Sequence, residues 1–200
     1  MRQDVTSPEP VLARGAIRAA RSAADVERAR KLFLEYASWL KVDLCFQDFE
    51  RELSTLPGAY APPRGRLLLA GEGDDAFGCI ALRPLDAACG CAPAAGAPNA
   101  QPGRDSSHQT SGTGEVKRLY VQPGRRGQGW GEQLARSLLA EARVIGYREL
   151  KLDTLAWMNE ARALYGRLGF RECAPYYDNP LDGAVYMSLA LSSGSTEKRP

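Results

Sequence analysis

Between Val121 and Trp130 the chain reads Gln122-Pro-Gly-Arg-Arg-Gly-Gln-Gly129, and another glycine follows at Gly131. A segment this rich in glycine can take left-handed backbone angles and lie close against a ligand. Before it, Glu115-Val-Lys-Arg-Leu-Tyr-Val121 reads as a strand. After it, Trp130 to Ile145 sets Leu134, Leu138, Ala142 and Ile145 along one helical face, with Gly146 where a C-terminal cap belongs. Glu149 to Leu155 is a further strand and Asn159 to Leu168 a further helix, closed by Gly169. Strand, glycine turn, helix, strand implies a parallel pair, which restricts this half of the chain to an α/β sheet.

The first half reads differently. Gly15 to Ala19 is a strand. Ser22 to Leu40 is a helix with Val26, Ala29, Phe33, Tyr36, Ala37 and Leu40 at helical spacing and Ser22 or Asp25 as its cap. Phe46 to Leu56 is a short helix ended by Pro57-Gly58. Arg66–Ala70 and Ala76–Leu82 are strands joined through the turn-rich Gly71–Asp75. Phe170–Ala174 and Ala184–Leu189 supply the last strands. The expected fold class is α/β, a single-domain mixed sheet of about six or seven strands flanked by about four helices. Residues 14–191 form the domain. Residues 1–13, with Pro8 and Pro10, and residues 192–200 read as flexible tails. Asp86 to Gly114 contains no Leu, Ile, Val, Met, Phe, Tyr or Trp, so it reads as a loose insertion.

Composition removes several function classes. Lys+Arg 26 against Asp+Glu 24 leaves a net charge of +2, without the basic excess of a nucleic-acid binder. No apolar run approaches the roughly 20 residues of a membrane span, and no apolar segment follows the basic residue at the N-terminus, so a cytoplasmic protein is expected. Five cysteines (Cys45, Cys79, Cys89, Cys91 and Cys173) at irregular spacing do not describe a disulfide framework. Cys79 and Cys173 read as strand core, and Cys89-Gly-Cys91 as two exposed thiols rather than a redox or metal patch. With His108 as the single histidine, a zinc site with two histidines is excluded and no metal is expected. Acid–base chemistry must come mostly from carboxylates, tyrosines, cysteines or backbone.

The glycine segment has the construction of a phosphate site. It stands at a helix N-terminus, where N–H groups point outward and the helix dipole adds positive charge, and Arg125 and Arg126 add full charges. It lacks the Gly-Lys-Ser/Thr of a P-loop, and its glycines do not fit G-x-G-x-x-G, so ATP or NAD is disfavoured. What fits is Arg126-x-x-Gly129-x-Gly131. This resembles the acyl-CoA pyrophosphate loop of the GNAT acyltransferase superfamily. A second block, Asn159-Glu-Ala-Arg-Ala-Leu-Tyr-Gly-Arg-Leu-Gly-Phe170, is similar to that superfamily's Asn-x-x-Ala-x-x-Leu-Tyr-x-x-x-Gly-Phe. The likeness covers about Glu115 to Leu189; the insertion before it departs from a compact member.

The resemblance implies two central parallel strands that splay apart, with acetyl-CoA as cosubstrate between them. Its pantetheine arm would pair with the backbone of Leu119, Tyr120 and Val121, and its pyrophosphate would lie on the amides of Arg126, Gly127, Gln128, Gly129, Trp130 and Gly131. Asn159 would hydrogen-bond the arm, and Tyr165 would sit near the sulfur. The implied reaction is transfer of an acetyl group to an amine by direct attack, without a covalent enzyme intermediate. The Val121 N–H would polarise the thioester carbonyl, Tyr165 would return a proton to the leaving thiolate, and Glu115, at the cleft mouth, would act as base directly or through water. A strand-end carboxylate beside Lys117 is the other reading of Glu115, and Asp153 is a weaker candidate for the base. Tyr60, Pro62, Pro63 and Arg64, and the loop Tyr176–Asn179, are candidates for the acceptor side. The acceptor, a small-molecule or peptide amine, is not legible, and a homodimer stays open. A non-catalytic acyl-CoA sensor of the same fold is the alternative.

Overall fold

Each amphipathic segment finds its place on one of two faces of a sheet. The computed structural model describes residues 17–42, 44, 48–85 and 112–191. The elements run β1 (Ile17–Ala19), α1 (Ala23–Leu40), α2 (Phe49–Thr55), β2 (Arg66–Ala70), β3 (Gly78–Pro84), β4 (Thr113–Val121), α3 (Trp130–Ile145), β5 (Glu149–Leu155), α4 (Asn159–Arg167), β6 (Arg171–Glu172) and β7 (Ala184–Ala190). One mixed sheet orders the strands β1-β2-β3-β4-β5-β7-β6. The first four form an antiparallel meander, β4 and β5 are parallel, and β7 lies antiparallel to both β5 and β6. This is the mixed α/β architecture expected.

Alternation along the strands sorts the core into two layers. Leu68, Ala70, Ile80 and Leu82 face α3, meeting Leu134, Leu138 and Ala142. Leu67, Leu69, Cys79 and Ala81 face the other way, meeting Ala29, Leu32 and Phe33 of α1 and Phe49 of α2. Removing one such leucine or phenylalanine from water contributes about 1.5–3 kcal/mol, so both faces are strongly specified. α1 starts on a full capping box. The Asp25 N–H donates to Ser22 Oγ, and the Ser22 and Arg21 N–H groups donate to the Asp25 carboxylate, so both predicted caps act together. α3 ends at Gly146 with φ 97°, the left-handed cap read from the sequence.

Some boundaries differ from expectation. β4 begins at Thr113, because Gly114 and Glu115 still pair with Pro84 and Arg83, so residues 113 and 114 belong to a strand rather than to the insertion. β6 keeps only Arg171–Glu172, an exposed sheet edge, instead of the span Phe170–Ala174. Cys173 therefore falls beyond β6 and is only half-buried, whereas Cys79 is in the core. The second helix is α2 alone, and residues 45–47 lie outside the described residues. So do Cys45, the Cys89–Cys91 pair, His108, both expected tails and residues 86–111. Among the described residues no helix is long and apolar enough to cross a membrane.

Candidate active site

The sheet comes apart in the middle. β4 and β5 pair only from Thr113↔Glu149 to Glu115↔Lys151. Beyond that, β4 runs on to Val121 while still paired to β3, and β5 runs on to Leu155 while still paired to β7. A bulge lies where the two strands part: the β3–β4 register slips between Cys79↔Tyr120 and Ala81↔Lys117, and Arg118 takes the left-handed region with φ 58°. A bulge bends its strand and shifts side-chain parity. Hence Val116 and Leu119, three positions apart, both face the α3 layer, while Tyr120 packs with α1. The Gln122 N–H donates to the Phe77 carbonyl on the β3 side. By alternation the Val121 N–H points the other way, into the gap left by β5.

At the top of that gap stands the glycine loop. Gly127 and Gly129 have φ of 75° and 80°, and a Cβ on Gly127 would meet nothing within 4 Å, so the loop is open at the surface. The first bond of α3 runs from the Gln133 N–H to the Gly129 carbonyl, which leaves the amides of Trp130, Gly131 and Glu132 without a helical acceptor. Arg126 differs from its expected part. Its own N–H is engaged by the Pro123 carbonyl, so the amides that face a ligand begin after it. Its side chain is held instead: Nε donates to the Val121 carbonyl (2.9 Å) and the guanidinium lies 4.4 Å over the Trp39 ring and 5.6 Å from that of Tyr120. Trp39 in turn meets the exposed Trp157 of the β5–α4 turn at 5.8 Å. An aromatic bridge thus links α1 to both sides of the opening.

The gap continues inward as a cleft open to solvent. Its lining comes from both cores. Val116, Leu119, Ala161 and Tyr165 belong to the α3/α4 face, and Tyr36, Leu40, Leu44, Met158 and Leu181 to the α1/α2 face. The cleft therefore passes through the sheet. Charged lining groups (Lys117, Arg118 and Asp153) gather toward the α1/α2 face, and each is paired. Lys117 Nζ donates to Asp153 Oδ1 (3.0 Å) and lies 3.7 Å from Glu115. Arg118 makes two hydrogen bonds to Glu52, which also accepts from Tyr60. Burial alone would raise the Glu52 and Asp153 carboxyls, but the Arg118 and Lys117 cations outweigh it and hold both below their ordinary values. Tyr165 is buried in the cleft against Phe170 (5.6 Å), and burial pushes its phenol above the ordinary tyrosine value, with smaller contributions from Tyr36 and Asp153.

The predicted residues thus come together with two changes of role. Leu119, Tyr120 and Val121 lie on the stretch of β4 that β5 leaves, Gly127 to Gly129 form the exposed loop with Trp130 and Gly131 half-buried at the start of α3, Tyr165 lines the cleft, and Asn159 is exposed at the first turn of α4, beside cleft-lining Met158. Glu115 is not at the cleft mouth. It is 1% exposed, within the paired part of β4, accepting from Arg83 Nε (2.7 Å) and the Tyr176 hydroxyl (3.0 Å). Of the residues expected on the acceptor side, Tyr176 hydrogen-bonds Glu115, Tyr177 hydrogen-bonds cleft-lining Asp153, and Tyr60 is buried at Glu52. The sequence reading missed the Lys117 and Arg118 placement and the Trp39–Trp157 bridge. Two adjacent charges inside a buried strand were the available signal for the bulge.

An open loop at a helix N-terminus, beside a splay between two parallel strands, is the arrangement that the resemblance to the acyltransferases implies. The comparisons agree, and the chain belongs to the acetyltransferase (GNAT) family, whose model matches residues 26–170. It is 34% identical to an uncharacterized N-acetyltransferase of Schizosaccharomyces pombe, over 84% of this chain and 90% of that protein. It is 27% identical to one of Dictyostelium discoideum, over 83% and 94%. Among solved structures, a GNAT-family acetyltransferase of Staphylococcus aureus shares the fold with TM-score 0.64 at 19% identity, covering 88% of this chain and all of the other. A Salmonella typhimurium protein, solved with its cofactor acetyl-CoA, shares it with TM-score 0.56 at 19% identity, covering 90% and 95%.

Proposed function

We propose that this N-acetyltransferase moves the acetyl group of acetyl-CoA onto a primary amine by direct attack, with both substrates bound together. The observation that carries the reading is the cleft through the sheet, lined by residues of both cores and by paired charges, on the strand that leads into the glycine loop. The loop amides beyond Arg126 and the α3 dipole suit a pyrophosphate. The amide edge of Leu119 to Val121 suits the peptide-like groups of a pantetheine arm, with Asn159 beside it, and the inward Val121 N–H suits a carbonyl oxygen gathering negative charge.

In the transfer a nitrogen–carbon bond forms, the carbon–sulfur bond breaks, the amine loses one proton and the sulfur gains one. Tyr165 is the donor to sulfur: its raised pKa keeps the phenol protonated, and a thiolate of ordinary pKa about 8.5 leaves with modest help. Glu115 acts through Lys117 and Tyr176, not by touching the amine. It fixes the lysine that fixes Asp153. A cytoplasmic setting and an amine partner belong to the same proposal.

Thiol release measured with acetyl-CoA and an amine panel tests the reading. Release that depends on an amine supports it. Tight CoA binding with no release for any amine would instead favour an acyl-CoA sensor.

A further inference from the structure

The acceptor side of the cleft has its own chemistry. On the α1/α2 face the described lining is Tyr36, Leu40, Leu44, Leu155, Met158 and Leu181, a wall apolar but for the Tyr36 hydroxyl. One charged edge interrupts it, and that edge is internally neutral: Lys117 with Asp153 and Glu115, Arg118 with Glu52, and Arg83 with Glu115. A ligand carrying a second charge would have to pull one of these pairs apart, leaving a buried ion without its partner. An apolar body displaces water from the wall and disturbs none of them.

Among the acidic groups of this network, Asp153 alone reaches the cleft; Glu52 and Glu115 stand behind Arg118 and Lys117. It sits on β5 inside the splay, facing the acceptor side by alternation with Leu152, which points to the α3/α4 core. Lys117 and Tyr177 hold its carboxylate in place, and it remains ionised at neutral pH. Its carboxylate thus lines the cleft with its orientation fixed by neighbouring donors.

We infer that Asp153 accepts a hydrogen bond from the nitrogen of the incoming amine and aims it at the thioester, and that the amine is a monoamine on an apolar body, aliphatic or aromatic, rather than an amino acid or a polyamine. This rests on the acyl transfer proposed above. Asp153 receives the N–H and directs the lone pair. The neighbouring Lys117 ammonium opposes a second positive charge, so the amine reacts in its neutral form and any extra proton goes to solvent.

The test uses the full chain, acetyl-CoA and straight-chain primary amines of increasing length, beside ω-amino acids and α,ω-diamines of equal length. For the simple amines kcat/KM is expected to rise roughly fourfold per added methylene until the wall is filled, as burial of about 0.8 kcal/mol each implies. The charged analogues fall at least about tenfold below their partners, about the 1.4 kcal/mol that a factor of ten represents. Asp153→Asn lowers kcat/KM for the best amine on the order of 100-fold, the scale of lost orientation, with acetyl-CoA affinity unchanged. A flat series, a preference for the charged analogues, or an Asp153→Asn enzyme within about threefold of the parent (a small fraction of the orientation effect) would overturn the inference. Should Asp153→Asn lose acetyl-CoA binding, and with it the fold, Leu181→Asn decides. A shallower slope for long amines with methylamine turnover kept supports the apolar wall, and an unchanged slope overturns it. Absence of thiol release with every amine, despite acetyl-CoA binding, defeats the transfer itself, a result distinct from all of these.

Discussion

Tyr165 shows how its surroundings suit one side chain to the proposed role. A tyrosine at helical spacing in α4 is ordinary core material, and here it does pack on Phe170, yet it also faces the cleft. Burial removes the phenolate as an accessible state, so the hydroxyl serves as donor only. Because a thiolate is a tolerable leaving group, Tyr165→Phe should lower kcat by about tenfold, below the usual range for a lost general acid, and leave the acetyl-CoA Kd unchanged. Steady-state kinetics with a fluorescent or colorimetric thiol reporter checks this; an unaltered kcat removes the phenol from the reaction. The two motif blocks made this residue and the loop readable from sequence, since glycine spacing and the Asn–Tyr–Gly–Phe pattern are local. Glu115 was misplaced because its position depends on Arg83 and Tyr176, residues 32 and 61 positions away.

At the scale of elements, α2 and α1 are tied to the site by different means. α2 is a short helix whose start has no side-chain cap. It is held by Phe49 under the Arg118 guanidinium (4.9 Å) and by the Glu52–Arg118 pair. Glu52→Ala strands a buried arginine, so unfolding free energy should fall by about 3 kcal/mol, read from urea denaturation. α1 is tied through Trp39, which touches Trp157 and carries Arg126 on its ring. Trp39→Leu should raise the KM for acetyl-CoA several-fold with kcat nearly kept, because Arg126 loses its platform while the chemical groups stay. Helix limits were the most legible elements: α3 begins at Trp130 and ends at Ile145 as its apolar stripe and Gly146 dictate. The bulge was not, because strand parity can be judged only against a partner strand. Lys117 and Arg118 announced an irregularity without saying which way it turned.

For the whole molecule, acid is the informative stress. Asp25 is held well below the ordinary carboxylate value by the N–H groups of Arg21 and Ser22, and Glu52 and Asp153 are also depressed, by Arg118 and Lys117. A group whose pKa is lower folded than unfolded contributes stability above its unfolded value of about 4 and loses it as pH falls through the folded one. Melting temperature should therefore hold between pH 7 and 5 and drop progressively below about pH 4. A Ser22→Ala, Asp25→Asn double variant should melt lower at pH 7 and show a shallower acid decline. A melting temperature that stays level down to pH 2 would contradict the carboxylate assignments.

The interrupted ladder between β4 and β5 leaves the resting fold with a sheet edge turned inward, between two cores and shielded from other polypeptides. Such a domain is structurally unfinished until a guest supplies the absent rung. Saturating it with CoA at about a hundred times Kd should add about 2.7 kcal/mol to its stability. In a thermal scan that gain registers as an upward step of several degrees, so heat alone can report occupancy before any acceptor has been found.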